Sequence, residues 1–223
     1  MIGIGITSTP NRPEHLKMCL DMISKHTDLT NVKVYYYIDT DKKGVAYGKN
    51  MCLYNLQGCE HVVLFDDDCF PKKDGWLDFF TKSGHNHLLY MTPKHYQKLM
   101  TIAGIEYYGL SAGAFMYMTK KAIDTVGYFN PEYGRYGYEH AGYTHRIYRS
   151  KLIPTKYPVL VGTSEYLHSL DINKDDNHLY DIEHKPSLTK EEYETNLNIN
   201  NPIYMRETGL NEHIRYEFTP NNI

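Results

Sequence analysis

The feature that most restricts this chain is the run His61-Val62-Val63-Leu64-Phe65, which ends directly on Asp66-Asp67-Asp68. A short apolar, β-branched run of this kind predicts a buried strand. Three adjacent carboxylates repel one another, and they stay ionised only beside a cation or strong hydrogen-bond donors. A buried strand that delivers such a cluster to its own end points to an α/β fold, in which ligands sit beyond the carboxyl ends of the strands. Mn²⁺ or Mg²⁺, which take oxygen ligands and bridge diphosphates, suit the cluster. In an extended segment Asp66 and Asp68 project to the same side, so the pair is expected to hold a ribose and a metal together. A solvated acidic turn is the competing explanation, and the apolar strand before it makes that less natural.

Strand and helix alternate along the rest of the chain. Ile2, Ile4 and Ile6 interleave with Gly3 and Gly5, which predicts a first strand with backbone room on one face. Turn formers crowd Thr7-Ser8-Thr9-Pro10-Asn11-Arg12-Pro13, and Leu16, Cys19, Leu20 and Ile23 then recur at helical spacing over residues 14–25. Residues 32–38 predict a strand, 44–56 a helix and 61–65 the strand described above. Farther on, 75–83, 120–126 and 139–149 predict helices, whereas 87–92, 110–119 and 157–161 predict strands. This order implies an α/β fold with a mixed, mostly parallel sheet flanked by helices. From Asp171 the sequence turns polar, with Asp175-Asp176-Asn177 and an asparagine-rich stretch at 196–201, which predicts an irregular C-terminal extension that wraps the core or closes as a lid. A core of residues 1–170 and an extension of 171–223 follow; 223 residues suit one large domain.

Order and spacing add a family resemblance. Gly48-Lys49-Asn50, then a helix, then Val62 to Asp68, resembles the GT-A glycosyltransferases of the family 2 type, where an Arg/Lys-Asn pair precedes a DxD motif. Gly113-Ala114-Phe115-Met116, Lys120-Lys121 and Val126-Gly127-Tyr128-Phe129-Asn130-Pro131 look like the acceptor-side strand, helix and turn of that family. Tyr136-Gly137-Tyr138-Glu139-His140, with Arg146 beyond, is similar to its "WGxED...R" element, so the likeness spans residues 1–165.

The resemblance implies a GT-A (Rossmann-like) catalytic domain, a nucleotide-sugar donor, UDP-sugar above others, and Mn²⁺ or Mg²⁺. On the matching positions, Thr7, Thr9, Pro10 and Arg12 are expected against the nucleotide base, and Asp39 against base or ribose. Lys49, with Asn50 beside it, is expected to neutralise phosphate as a point cation, unless it is an exposed helix lysine. Asp66 matches the ribose-side carboxylate and Asp68 the metal ligand, with Asp67 open to either role. In inverting members a carboxylate near the Glu-Asp pair deprotonates the acceptor hydroxyl. Glu139-His140 stands in that place here, so Glu139 acts alone or orients His140 as the proton acceptor; Glu139 is favoured, against a plain helix-capping role. Many GT-A enzymes add a late histidine to the metal, for which His168 is first choice and His178 second. Trp76, at a helix start similar to the family's, is expected to pack in the core.

Other function classes fit less well. A sugar nucleotidyltransferase calls for a Gly-rich basic loop after the first strand, and residues 7–13 carry one arginine and no glycine. A noncatalytic carbohydrate-binding module accounts for 22 tyrosines but not for the ordered motifs. Net charge of −3 provides no field for a nucleic-acid backbone, so glycans or other hydroxyl-bearing acceptors rank ahead of a nucleobase. Four cysteines without a CxxC pair read as reduced thiols, and no apolar stretch approaches the ~20 residues of a membrane span. The resulting expectation is a soluble, cytoplasmic hexosyl- or pentosyltransferase, of a bacterium or of a virus-infected host.

Overall fold

A computed structural model of the chain describes residues 1–91, 97–109 and 112–220. In chain order its elements are β1 (Ile2–Ser8), α1 (Pro13–His26), β2 (Val32–Ile38), α2 (Val45–Asn55), β3 (His61–Asp66), β4 (Cys69–Pro71), α3 (Trp76–Thr81) and β5 (His87–Leu89). They continue with β6 (Lys98–Ile102), β7 (Ile105–Tyr108), β8 (Phe115–Thr119), α4 (Lys120–Val126), α5 (Glu139–Arg149), β9 (Pro158–Leu160), α6 (Thr163–Tyr166), β10 (Leu167–Ser169) and α7 (Lys190–Gly209). Thr92 and Leu110, the predicted ends of two strands, lie outside the described residues.

The central sheet runs β2-β1-β3-β8-β5. β1 pairs in parallel with β2 and β3, and β8 is antiparallel to both β3 and β5, so the sheet is mixed and mostly parallel as expected. Alternation along the strands divides two cores. Ile4, Ile6, Val63, Phe65 and Tyr117 pack on Leu16, Cys19 and Ile23 of α1 and on Trp76 and Phe80 of α3. Val62, Leu64, Met116 and Met118 pack instead on α2, α4 and α5. Gly5 explains why α2 sits so close to β1, since a Cβ there would lie 2.7 Å from Cys52 Cβ. Trp76 is fully buried, with Nε1 donating to Thr27 Oγ1 at 2.9 Å.

Two small sheets flank this core, β10-β4 and β6-β7-β9. The second was not anticipated, because its strands are only three to five residues long and β6 is exposed throughout. The extension also differs from expectation: α7 is a 20-residue helix that docks on α5. Its start carries a capping box, in which Thr189 accepts from Glu192 N–H and Glu192 from Thr189 N–H. Four asparagines and Pro202 are poor helix formers that hid it. All four cysteines are free and buried, and no helix among the described residues is long and apolar enough to cross a membrane.

Candidate active site

Three parallel strands end side by side: β1 at Ser8, β2 just before Asp39, and β3 at Asp66. Asp67 and Asp68 form the tight turn into β4, so the segment is not extended past Asp66 and the expected same-side projection loses its basis. The three carboxylates have separate partners. Asp66 Oδ1 accepts from the Thr7 hydroxyl at 3.0 Å and lies 3.4 Å from Lys49 Nζ, with the side chain 31% exposed. Asp67, buried, accepts from Ser8 Oγ at 2.6 Å and pairs with Arg12 Nη2 at 3.0 Å. Asp68 Oδ2 meets the same Arg12 nitrogen at 2.7 Å and stands 3.5 Å from His184 Nε2.

These partners decide the charges. Burial raises the carboxyls of Asp66 and Asp67 against the pull of Lys49 and Arg12 respectively. Burial also acts on Asp68, yet His184 and Arg12 outweigh it and hold that carboxyl well below its usual range. Asp67 is thus engaged in the interior by Ser8 and Arg12. Arg12 is buried and turned onto the aspartates.

Lys49 is fully buried; its ammonium donates to Gly113 O at 2.9 Å and lies 3.4 Å from Asp66 and 3.7 Å from Glu139 Oε1. Enclosed by protein oxygens, it is not an exposed helix lysine; it ties the acidic turn to α5. Asn50 clamps the backbone of Phe129, donating to its carbonyl at 3.0 Å and accepting from its N–H at 2.7 Å. Arg146 serves the same region, donating to the carbonyls of Val126 and Tyr128.

Glu139 opens α5, buried at 4% exposure. Its Oε2 accepts from Gly137 N–H at 3.0 Å, and Oε1 lies 3.1 Å from His140 Nδ1. Burial alone would raise this carboxyl, but the paired His140, its hydrogen bond and Lys49 bring it down to about 2. A carboxylate accepts only, so His140 Nδ1 is the donor in this pair. The His140 ring packs on Gly113, where a Cβ would come within 2.7 Å of Nδ1.

The outer loop is looser. The Thr9 hydroxyl donates to Asn11 at 2.6 Å and Pro10 is exposed. Half-buried Asp39 accepts from Lys43 and Gly44 N–H, both at 2.8 Å, closing the turn into α2. His168 is buried between Phe70 and Tyr180 and bonds Asn177 Oδ1 at 3.0 Å, while His178 bonds Asp175 O at 2.9 Å. It is His184 that reaches Asp68, carried by a segment whose Lys185 N–H donates to His15 Nε2 at 3.2 Å. No local sequence signal marks His184, because its position depends on where the extension folds back.

Carboxylate oxygens on Asp66 and Asp68 and the imidazole nitrogen of His184 are donor types that Mn²⁺ accepts, although among the described residues no three His, Cys, Asp or Glu side chains form a ready metal-binding group. The 3.5 Å between Asp68 Oδ2 and His184 Nε2 is close to the ~3 Å that separates adjacent ligands on one octahedral ion. Among the described residues, Arg12 Nε is buried with no hydrogen-bond partner, so this cluster retains an unfilled cationic donor.

No protein-family model matches the chain. An uncharacterised glycosyltransferase of Acanthamoeba polyphaga mimivirus is 28% identical over 144 residues, 58% of this chain; the match spans 56% of that protein, little more than half its length. Among solved structures, S. aureus TarS in complex with UDP is similar at TM-score 0.51 and 16% identity, over 76% of this chain and 60% of that one. A mutant Drosophila β1,4-galactosyltransferase 7 in complex with manganese, UDP-Gal and xylobiose gives TM-score 0.53 and 14% identity, over 86% and 79%. The fold is GT-A. GalNAc-T7 with UDP, GalNAc and Mn²⁺ agrees, at TM-score 0.52 and 11% identity over 72% and 42%. Within this GT-A sheet the acidic turn closes β3 and Glu139 opens α5, so two loops rich in ionisable groups meet across Lys49.

Proposed function

We propose that the chain is a metal-dependent, inverting glycosyltransferase that moves a sugar from a nucleotide-sugar, a UDP-sugar, to an acceptor hydroxyl. The observation that carries this is the buried Lys49, whose ammonium holds Asp66 on the donor side and Glu139 on the acceptor side within 3.4 and 3.7 Å. A shared counter-ion between two such carboxylates suits a reaction in which leaving-group charge and acceptor proton are handled side by side. Support also comes from the UDP and manganese complexes among the similar structures and from the relative's name.

In this proposal Asp66 meets the ribose, and Asp68, Asp66 and His184 hold Mn²⁺ or Mg²⁺. A bound ion there would stabilise the negative charge of the departing diphosphate. Thr9, Pro10 and Asp39 form the rim that receives the base. His140 takes the acceptor proton at Nε2, and Glu139 fixes its tautomer and compensates the imidazolium that results. Glu139 alone is a poor base, since a carboxyl at about 2 has little proton affinity at neutral pH.

UDP release from UDP-glucose, UDP-galactose and UDP-GlcNAc with Mn²⁺ tests this. His140→Ala should lower kcat by about 10²-fold or more with donor KM within about twofold, and Glu139→Gln should follow the same pattern. If His140→Ala retains kcat while Glu139→Gln loses it, Glu139 is the base by itself. A wild type that releases UDP from none of these donors contradicts the transferase assignment.

A further inference from the structure

Glu139 follows two residues of left-handed backbone, Gly137 at φ 100° and Tyr138 at φ 69°. That region is unfavourable for tyrosine, and a segment bent in this way keeps one geometry only where its surroundings over-determine it. Helix α7 supplies those surroundings. Asn200, fully buried, donates from Nδ2 to the carbonyls of Tyr136 and Gly137 at 2.8 and 2.9 Å and accepts from Gly134 N–H at 2.8 Å. Gly137 N–H in turn donates to Glu139 Oε2 at 3.0 Å. Leu197 closes the space beside Gly137, where a Cβ would lie 2.6 Å from its Cδ2. The rings of Tyr193 and Tyr204 pack on Tyr136 and Tyr138 at 5.2 and 5.0 Å.

From this chain of contacts we infer that Asn200 is a positioning residue for the Glu139–His140 pair. One amide fixes three backbone groups of the loop at 134–137, and that loop aims the carboxylate that orients His140. The inference rests on the transfer reaction proposed above. It also gives α7 a part in catalysis, although none of the partners described above for Asp66, Asp67 and Asp68 lies on that helix. Glu207 supplies an internal control, because it anchors the far end of the same helix through Arg146 Nε at 2.8 Å and Tyr133 Oη at 2.6 Å.

The test compares the full-length wild type with Asn200→Ala, Asn200→Asp and Glu207→Gln. UDP release is followed from the same three UDP-sugars with Mn²⁺, UDP affinity by calorimetry, and Tm by thermal unfolding. Asn200→Ala should lower kcat by about 10²-fold while donor KM and UDP Kd stay within about twofold. Asn200→Asp keeps the size of the side chain and the acceptor for Gly134 but offers no N–H to the two carbonyls; it should lose kcat nearly as strongly. Glu207→Gln should lower Tm at least as much as either, with kcat within about threefold. The inference is overturned if kcat follows Tm across all three variants, or if both Asn200 variants retain kcat. An inactive wild type removes the transfer reaction and the inference with it, whereas an active wild type with unaffected Asn200 variants removes the inference alone.

Discussion

Replacing Lys49 by methionine keeps the length and apolar stem of the side chain and deletes only its charge. Asp66 and Glu139 then lose their shared counter-ion, and Gly113 O loses a donor. Removing one member of a buried ion pair costs about 3–5 kcal/mol, because the remaining charge is left uncompensated. Two features favour the lower end. Asp66 is 31% exposed, so water screens part of its charge, and Glu139 keeps His140 at 3.1 Å. The expected loss is therefore about 3 kcal/mol, or a fall in Tm of roughly 6–12 °C for a chain of this size. pH should modulate the loss in a fixed direction. The wild-type Glu139 carboxyl is depressed to about 2, below its unfolded value, so its stabilising contribution is complete above about pH 4.5 and fades as pH falls toward 2. Urea unfolding of both proteins at pH 7.5 and pH 4.0 should give a larger gap at the higher pH. A gap under about 1 kcal/mol that is the same at both would refute the idea that Lys49 compensates buried charge.

His184, beside Asp68, and His168, on β10, should separate cleanly. His184→Ala should weaken Mn²⁺ binding by about tenfold or more with little change in Tm, since it removes a ligand from a partly exposed position. His168→Ala should do the reverse, lowering Tm by emptying the space between Phe70 and Tyr180 while leaving Mn²⁺ affinity in place. Equal metal affinity in both variants would return the late-histidine role to an unassigned residue.

Much of the fold is legible in the sequence, because the core strands obey simple alternation. Ile2, Ile4 and Ile6 against Gly3 and Gly5 mark a strand with a helix pressed on its bare face, and residues 32–38 and 120–126 are bounded as the patterns indicate. The acidic turn is visible for the same reason, as three like charges on the end of an apolar strand demand an explanation. Side-chain direction is not encoded this way. Nothing local reveals that Lys49 and Arg12 point inward to carboxylates, that Asn50 serves the backbone of Phe129, or that His184 returns from 116 positions beyond Asp68. Those placements depend on long-range packing. The extension was hidden by composition, since Asn196, Asn198, Asn201 and Pro202 oppose a helix that tertiary contacts through Asn200 and Glu207 then secure.

The central claim is that a divalent ion and a nucleoside diphosphate assemble together on the acidic turn at the end of β3. Electron paramagnetic resonance of Mn²⁺, titrated with the chain in the presence and absence of UDP, tests it most directly. One Mn²⁺ should bind per chain, far more tightly with UDP than without, and Asp68→Asn should abolish that site while the variant still unfolds cooperatively. UDP binding with the same Kd in EDTA as in Mn²⁺, or an undiminished Mn²⁺ site in Asp68→Asn, would contradict the account.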